Sequence, residues 1–96
     1  MTQAVAQTAS TVSFTDLVAE ELRAQLGRKR VSGRELARRL NVSNQWTSQR
    51  TRGVVALNTA EMEAIASCLG ITVGELLAGA IARASGPSDG SSITAR

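Results

Sequence analysis

The stretch VSGRELARRLNVSNQWTSQRTRG, residues 31–53, carries the start and stop signals of two short helices. Ser32 stands three residues before Glu35, the spacing of a capping box in which each side chain accepts a backbone N–H, so a helix is predicted to begin there. Asn41, which tolerates a left-handed backbone, is predicted to end that helix. The inward face of the helix would consist of Leu36, Ala37 and Leu40.

A second helix is predicted over residues 44–52, after a turn of three or four residues. Val42 gives the turn a buried anchor, Ser43 is the next N-cap, and Gly53 is the type of residue found just past a helix end. Two helices joined so closely must cross steeply, and the small side chain of Ala37 permits this close approach.

This pattern resembles the helix-turn-helix of phage repressors and Cro proteins, the lambda-repressor-like family. Without gaps, the family's apolar, small and glycine positions are matched by Leu36, Ala37, Leu40, Val42 and Gly53. Asn41 takes the turn position, where the family more often has glycine. Together with the helices that follow it, including the segment LGITVGELL, the resemblance covers residues 14–84. It implies an all-α, compact five-helix domain that binds duplex DNA.

By this resemblance, base edges would be read by the second helix, from Asn44, Gln45 and Gln49, with Trp46 and Ser48 as further candidates. The chemistry agrees, because an amide fork carries one donor and one acceptor and complements the N6 and N7 edge of adenine. Gln45 and Gln49 are also four residues apart, on one helix face.

The second helix departs from the family at its inward side. Thr47 and Arg50 stand where the family usually has large apolar residues, and the bulky side chain is Trp46 instead. Either the helix is rotated to bury Trp46, or Trp46 lies outside and packs against a partner, a sugar or a thymine methyl. We favour at least partial burial, because an indole is a large apolar surface to leave in water.

Positive charge is concentrated around the motif. Between residues 28 and 52 there are eight cations and one acid, Glu35, a net charge of +7, whereas the rest of the chain has three arginines and seven acids, a net charge of −4. The alternative is that this run of charges is merely solvated. Because the run coincides with a helix-turn-helix, we favour phosphate binding. The predicted phosphate contacts are Arg28, Lys29, Arg30, Arg34, Arg38, Arg39, Arg50 and Arg52, chiefly Arg34, Arg38 and Arg52, with Ser32 and Ser43 at the helix starts.

Flanking helices complete the predicted domain. One starts near Phe14 with Thr15 as its cap and an inward face of Phe14, Leu17, Val18, Leu22 and Leu26. After Gly53, a connector containing Val54, Val55 and Leu57 would lie under the domain or partly meet the DNA backbone. Capping boxes at Asn58 with Glu61 and at Thr72 with Glu75 open two more helices. Cys68 would be a small apolar residue rather than a redox sensor, because no basic residue is close in sequence.

Composition limits the remaining possibilities. The 96 residues allow one small domain, predicted at residues 14–84 between a disordered segment 1–13 and a flexible tail 85–96. With no histidine, no tyrosine and one cysteine, we expect no enzyme, metal site or cofactor, and a reduced cytoplasmic setting in a prokaryotic or phage-infected cell. No secretory signal or membrane span is predicted, and no small-molecule ligand is evident.

The predicted function is a sequence-specific transcription regulator, a phage-type repressor or Cro-like switch protein that acts by occupying an operator. A single recognition helix reads few base pairs, so we expect two half-sites and a homodimer or paired monomers, with Leu77 and Ile81 as candidate interface residues. The alternatives are an antitoxin or recombination accessory factor with this fold, or a helical protein-interaction module that does not bind DNA.

Overall fold

Five α-helices and their connections make up residues 13–90, the part of the chain that the computed structural model describes. No strand occurs within that range, so the predicted all-α, five-helix fold is confirmed. The segments 1–12 and 91–96, predicted to belong to disordered tails, lie outside the described residues. The helices are α1 (Phe14–Lys29), α2 (Gly33–Leu40), α3 (Asn44–Thr51), α4 (Thr59–Leu69) and α5 (Val73–Gly90).

Polar side chains cap the start of each helix. Helix α1 is capped by Ser13, whose Oγ accepts the N–H of Asp16 at 3.1 Å, so the prediction of Thr15 was wrong and Ser13 belongs to the domain. Thr15 already lies inside the helix, where it cannot take the extended backbone of a cap. Both reciprocal bonds form in the predicted boxes of α4 and α5, Asn58 with Glu61 and Thr72 with Glu75.

Only one of the two hydrogen bonds of the capping box predicted at the start of α2 forms. Ser32 Oγ accepts the N–H of Glu35 at 3.0 Å, but the carboxylate of Glu35 turns to two arginines of its own helix instead of returning to the cap. At the other end of the helix, Asn41 adopts the predicted left-handed conformation, with φ of 60°. The first helix ends in the same way at Arg30, with φ of 57°, which the sequence pattern did not indicate.

The core is formed by one face of each of four helices. Leu22, Leu36, Ile65 and Leu76 are completely buried and come from α1, α2, α4 and α5 respectively. Phe14, predicted on the inward face of α1, is 47% exposed. It lies in the first turn, at the edge of a small cavity of about 100 Å³ that it lines with Val18, Val55, Leu57 and Met62, so no helix covers its outer side.

Two further apolar segments are only partly buried. The connector after Gly53 has Val55 and Leu57 half-buried, but Val54 is 63% exposed because it leaves the end of α3 on the solvent side. Within α5, Leu76 and Ala80 are buried, Val73 and Leu77 are half-buried, and Ile81 is 57% exposed. That helix continues through residues 85–90, which the sequence predicted to be part of the tail. Extension of a helix already formed adds a backbone hydrogen bond for nearly every residue fixed.

Within the described residues, no single helix is long and apolar enough to cross a membrane. Thr59–Leu69 and Val73–Ala84 reach the required apolar length only when taken together, and they are bent by 103° at the break between them.

A buried carboxylate joins the first helix to the last. Glu21 of α1 is 5% exposed and accepts hydrogen bonds from Gln25 at 3.0 Å, Arg28 at 3.2 Å and Arg83 of α5 at 3.1 Å. Gly79 makes room for it, since a Cβ there would collide with the carboxyl group. Burial by itself raises the pKa of Glu21, but the hydrogen bonds from Gln25, Arg83 and Arg28 outweigh it and leave the pKa lowered.

Replacing this acid should destabilise the domain in a pH-dependent way. A lowered folded-state pKa means that the ionised Glu21 contributes stability above its unfolded pKa, and that this contribution is lost as pH falls through the folded pKa. We expect Glu21→Gln to cost about 1–3 kcal/mol of unfolding free energy at pH 7. The difference from wild type should shrink below about pH 4, as measured by urea unfolding across pH.

Glu20→Gln is the matched control. Glu20 is more exposed than Glu21, and its contact with the same Arg83 is longer, at 3.8 Å. Its loss should therefore change the unfolding free energy by less than about 0.5 kcal/mol. Equal effects of the two substitutions at pH 7 would contradict the special role of Glu21.

Candidate nucleic-acid interface

Helices α2 and α3 form a helix-turn-helix whose second helix presents a polar face to solvent. The turn between Leu40 and Asn44 is three residues long, as predicted. Thr47 is the inward anchor of α3, 2% exposed, and lies beside Gly33, where an added Cβ would be 3.7 Å from its Cγ2. The small β-branched Thr47 therefore fills the position where the lambda-repressor-like family usually has a large apolar side chain, and the close approach of α2 at Gly33 leaves little room for a larger one.

Three of the predicted base-reading residues, Gln45, Ser48 and Gln49, lie on the side of α3 away from Thr47. Asn44 and Gln45 are exposed, while Ser48 and Gln49 are half-buried. At about 100° per residue, Gln45 and Gln49 lie within about 20° of the direction opposite Thr47, and Ser48 lies about 100° from Thr47. Asn44 lies only about 60° from Thr47 and lines the cleft beside the start of α2. None of the four is packed inside the domain, so all remain available to a ligand.

Trp46 is the predicted reader that the structure places differently. Its indole is half-buried and packs against the core, as the partial-burial alternative predicted. The guanidinium of Arg50 covers the ring, with Cζ 4.2 Å from the ring centroid. One side of the indole is therefore taken by the domain itself.

Arg50 ties the second helix of the motif to α4. Its side chain is only 14% exposed and donates to the Trp46 carbonyl at 3.2 Å and to both carboxylate oxygens of Glu61 at 3.3 and 3.4 Å. Glu61 also accepts the Asn58 N–H in the capping box of α4. A phosphate contact by Arg50, which the charge pattern predicted, would have to compete with these bonds at a side chain that is largely buried.

The C-terminal end of α3 is fixed against α1. Gly53 has φ of 77°, and a Cβ there would lie 2.8 Å from Asp16 Oδ1 and 3.5 Å from Ala19 Cβ, so both conformation and space require glycine. Arg23 of α1 donates to the Thr51 carbonyl. Sequence reasoning missed Arg23, and no local signal could have found it, because its partner is 28 residues away.

A shallow cleft of about 420 Å³ runs between the start of α2 and the outward side of α3. The first turn of a helix exposes backbone N–H groups without intrahelical partners and carries the positive end of the helix dipole, so this end of the cleft attracts anions. Arg52 Nε donates to Ser48 Oγ at 3.1 Å and Ser48 O at 3.3 Å, which holds the guanidinium along the same wall. The cleft is lined by Gly33, Arg34, Asn44, Thr47, Ser48, Thr51 and Arg52.

The predicted phosphate-binding cations divide into two groups. Four are exposed and form no ion pair within the described part of the chain: Lys29, Arg30, Arg34 and Arg52. The others pair with acids of the domain, Arg28 with Glu21, Arg38 and Arg39 with Glu35, and Arg50 with Glu61. Hydrogen bonds from Arg38 and then Arg39 lower the pKa of Glu35. The hydroxyl oxygens of Ser32 and Ser43 accept cap bonds.

Cys68 lies half-buried at the edge of the core, as expected of a small apolar residue. However, the fold brings a basic residue to it that is distant in sequence. Hydrogen bonds to Glu35 and to the Cys68 thiol raise the pKa of Arg39. Among residues 13–90, no group of three or more Asp, Glu, His or Cys side chains is placed to hold a metal ion.

Comparisons with known proteins identify the fold. No family model matches the chain, and no curated protein matches it in sequence. Two crystal structures of the clp gene regulator ClgR from Corynebacterium glutamicum superpose with a TM-score of 0.73 and 24% sequence identity. Each covers 77% of this chain, which in turn covers 95% and 79% of the two ClgR chains. At this identity, the similarity establishes a shared fold.

Removing the Arg50 guanidinium should weaken the attachment of α3 to α4. We expect Arg50→Met to cost about 1–3 kcal/mol of unfolding free energy, because Glu61 loses its charged partner in a largely buried position. The emission of Trp46, the one tryptophan of the chain, should shift to longer wavelength as the ring loses its cover.

Arg34→Met provides the control, because Arg34 is exposed and unpaired. It should leave both stability and emission near wild type. In a double-mutant cycle of Arg50→Met and Glu61→Gln, we expect a coupling of at least about 0.5 kcal/mol. An additive cycle with unchanged emission would contradict this account.

Proposed function

We propose that the domain binds duplex DNA through the outward side of α3 and thereby regulates transcription. The observation that carries this proposal is the placement of Gln45, Ser48 and Gln49 on the outward side of α3, with Asn44 in the adjoining cleft, beside Arg34 and Arg52, which form no ion pair within the described residues. Hydrogen-bonding side chains that distinguish bases thus lie next to cations that attract phosphate. The domain acts by occupying a site, with no chemical step.

Base discrimination is assigned to the amide side chains. An α-helix fits the major groove of B-DNA, and a well-placed Asn or Gln makes a bidentate contact with adenine that is worth about 1–3 kcal/mol of discrimination. Gln45 and Gln49 are one helical turn apart and would address neighbouring base pairs. Trp46 is removed from the base-reading set, because its indole packs on the core and lies under Arg50.

Phosphate contacts are assigned to the cations that the domain leaves unpaired. Arg34 and Arg52 line the cleft beside α3, and Lys29 and Arg30 lie at the end of α1 that leads into the motif. The backbone N–H groups at the start of α2 add a fixed positive partial charge. Such contacts set the register of the protein on DNA and make binding strongly salt-dependent.

ClgR is a gene regulator, and its similar fold supports a regulatory role for this chain. The narrower assignment, a phage-type repressor or Cro-like protein in a prokaryotic or phage-infected cell, is supported by the residue pattern of the motif. Two half-sites about one helical turn apart and a homodimer through Leu77 and Ile81 belong to the same proposal. An antitoxin or recombination factor would use this surface in the same way, and genetic context would distinguish these roles.

Selection of bound sequences from random duplexes tests the proposal. We expect Gln45→Ala to relax the preference at one base position, while Arg34→Ala weakens binding to all sequences alike. Measured against salt, the slope of log affinity should fall by about 1 for Arg34→Ala, as expected for one lost phosphate contact. Ser67→Ala, an exposed position on α4, should change neither property.

Two results would overturn this function. Wild-type affinity for duplex DNA that barely changes between low and moderate salt would favour the protein-interaction module, because several phosphate contacts impose a steep decline. Indistinguishable effects of Gln45→Ala and Arg34→Ala would show that the base-reading and phosphate-binding residues are wrongly divided.

A further inference from the structure

Glu35 is the one acid within the cationic segment, and it holds two of the cations there. Its carboxylate accepts bonds from Arg38 Nε at 3.2 Å and Arg38 NH2 at 2.5 Å, and from Arg39 Nε at 2.8 Å. The side chains of Arg38 and Arg39 are 72% and 42% exposed, so the cluster faces solvent. Three charges thus sum to +1 at a place where the two arginines alone would carry +2.

The cluster also fixes where the two guanidinium groups lie. Arg34 and Arg38 are four residues apart on α2, and Arg34 lines the cleft beside α3. Glu35 and Arg39 are also four residues apart on α2, which lets Arg39 pair with the same carboxylate. The two bonds from Arg38 hold its guanidinium against the Glu35 carboxylate.

The cap at the start of α2 shows that this arrangement is not required for the helix to begin. At this capping-box position a glutamate ordinarily returns to the N-cap backbone, as Glu61 and Glu75 do in α4 and α5. Glu35 does not, and Ser32 alone supplies the cap bond. Glu35 is therefore engaged with arginines rather than with the helix start.

We propose that Glu35 restrains the affinity of this surface for DNA by competing with phosphate for Arg38 and Arg39. When a phosphate approaches, it competes with the carboxylate for the two guanidinium groups, and the carboxylate itself repels the polyanion. The restraint acts on every sequence alike, because it involves backbone charge and no base edge. It leaves the amides of α3 to decide which sites are occupied.

The inference rests on the proposed DNA binding and is tested with Glu35→Gln, which keeps the size of the side chain and removes its charge. Binding of wild type and variant to a random-sequence duplex is measured over a range of salt concentrations. We expect Glu35→Gln to bind several-fold more tightly at low salt, with a log–log salt slope steeper by about 1–2, as expected when up to two further phosphate contacts form.

Glu63→Gln supplies the matched control, since it removes the same charge from an exposed position of α4 outside the motif. It should leave the slope unchanged. The double variant Glu35→Gln with Arg38→Ala should lose at least half of the gain in slope, which assigns the effect to the released arginine. Circular dichroism checks that each variant keeps its helices.

The outcomes separate the two proposals. If wild type and Glu35→Gln both fail to bind duplex DNA, the proposed function falls and the role of Glu35 with it. If wild type binds with a steep salt dependence but Glu35→Gln matches Glu63→Gln, or binds more weakly, DNA binding stands and the restraint is refuted. Weaker binding would mean that Glu35 positions the arginines for phosphate.

Discussion

The orientation of α3 depends on the contact of Arg50 with Glu61 and Trp46. Helix α3 has eight residues, and Thr47 is its one fully buried side chain. A helix of this length is not stable in water by itself, so tertiary contacts must hold it. Arg50 supplies one of them by pairing with Glu61 of α4, and Trp46 supplies another by packing against the core. Within α3 itself, Arg50 also stacks on Trp46 and bonds its carbonyl. Glu61 also accepts the Asn58 N–H in the capping box of α4, so the same side chain holds both α3 and the start of α4.

Some charged side chains hold the domain together, and others face outward. Glu21 and Glu61 are largely buried and join elements that are distant in sequence, while Glu35 pairs within its own exposed helix. The cations left over lie at the end of α1 and around the cleft between α2 and α3. The net charge counted along residues 28–52 therefore overstates the positive charge available to a ligand, because acids of the domain already neutralise part of it.

Sequence patterns predicted the helices well because helix ends are local. A cap involves side chains and N–H groups three residues apart, so Ser32, Ser43, Asn58 and Thr72 could be recognised without the fold. The same patterns failed where position in the domain decides the environment. Phe14 fits the apolar period of α1 but lies at an uncovered end, and Thr15 is a good cap residue displaced by Ser13.

The sequence by itself determined the five helices, the tight turn, the glycine at position 53 and the polar residues of α3 that face outward, because these follow from backbone geometry and helical periodicity. Arg38 and Arg39 pair locally with Glu35, but the tertiary structure decided the long-range ion pairs. Arg50 meets an acid 11 residues away, Arg83 one that is 62 residues away, and Arg39 meets Cys68 across two helices. Such pairings depend on how helices cross, and packing of the whole core sets those angles.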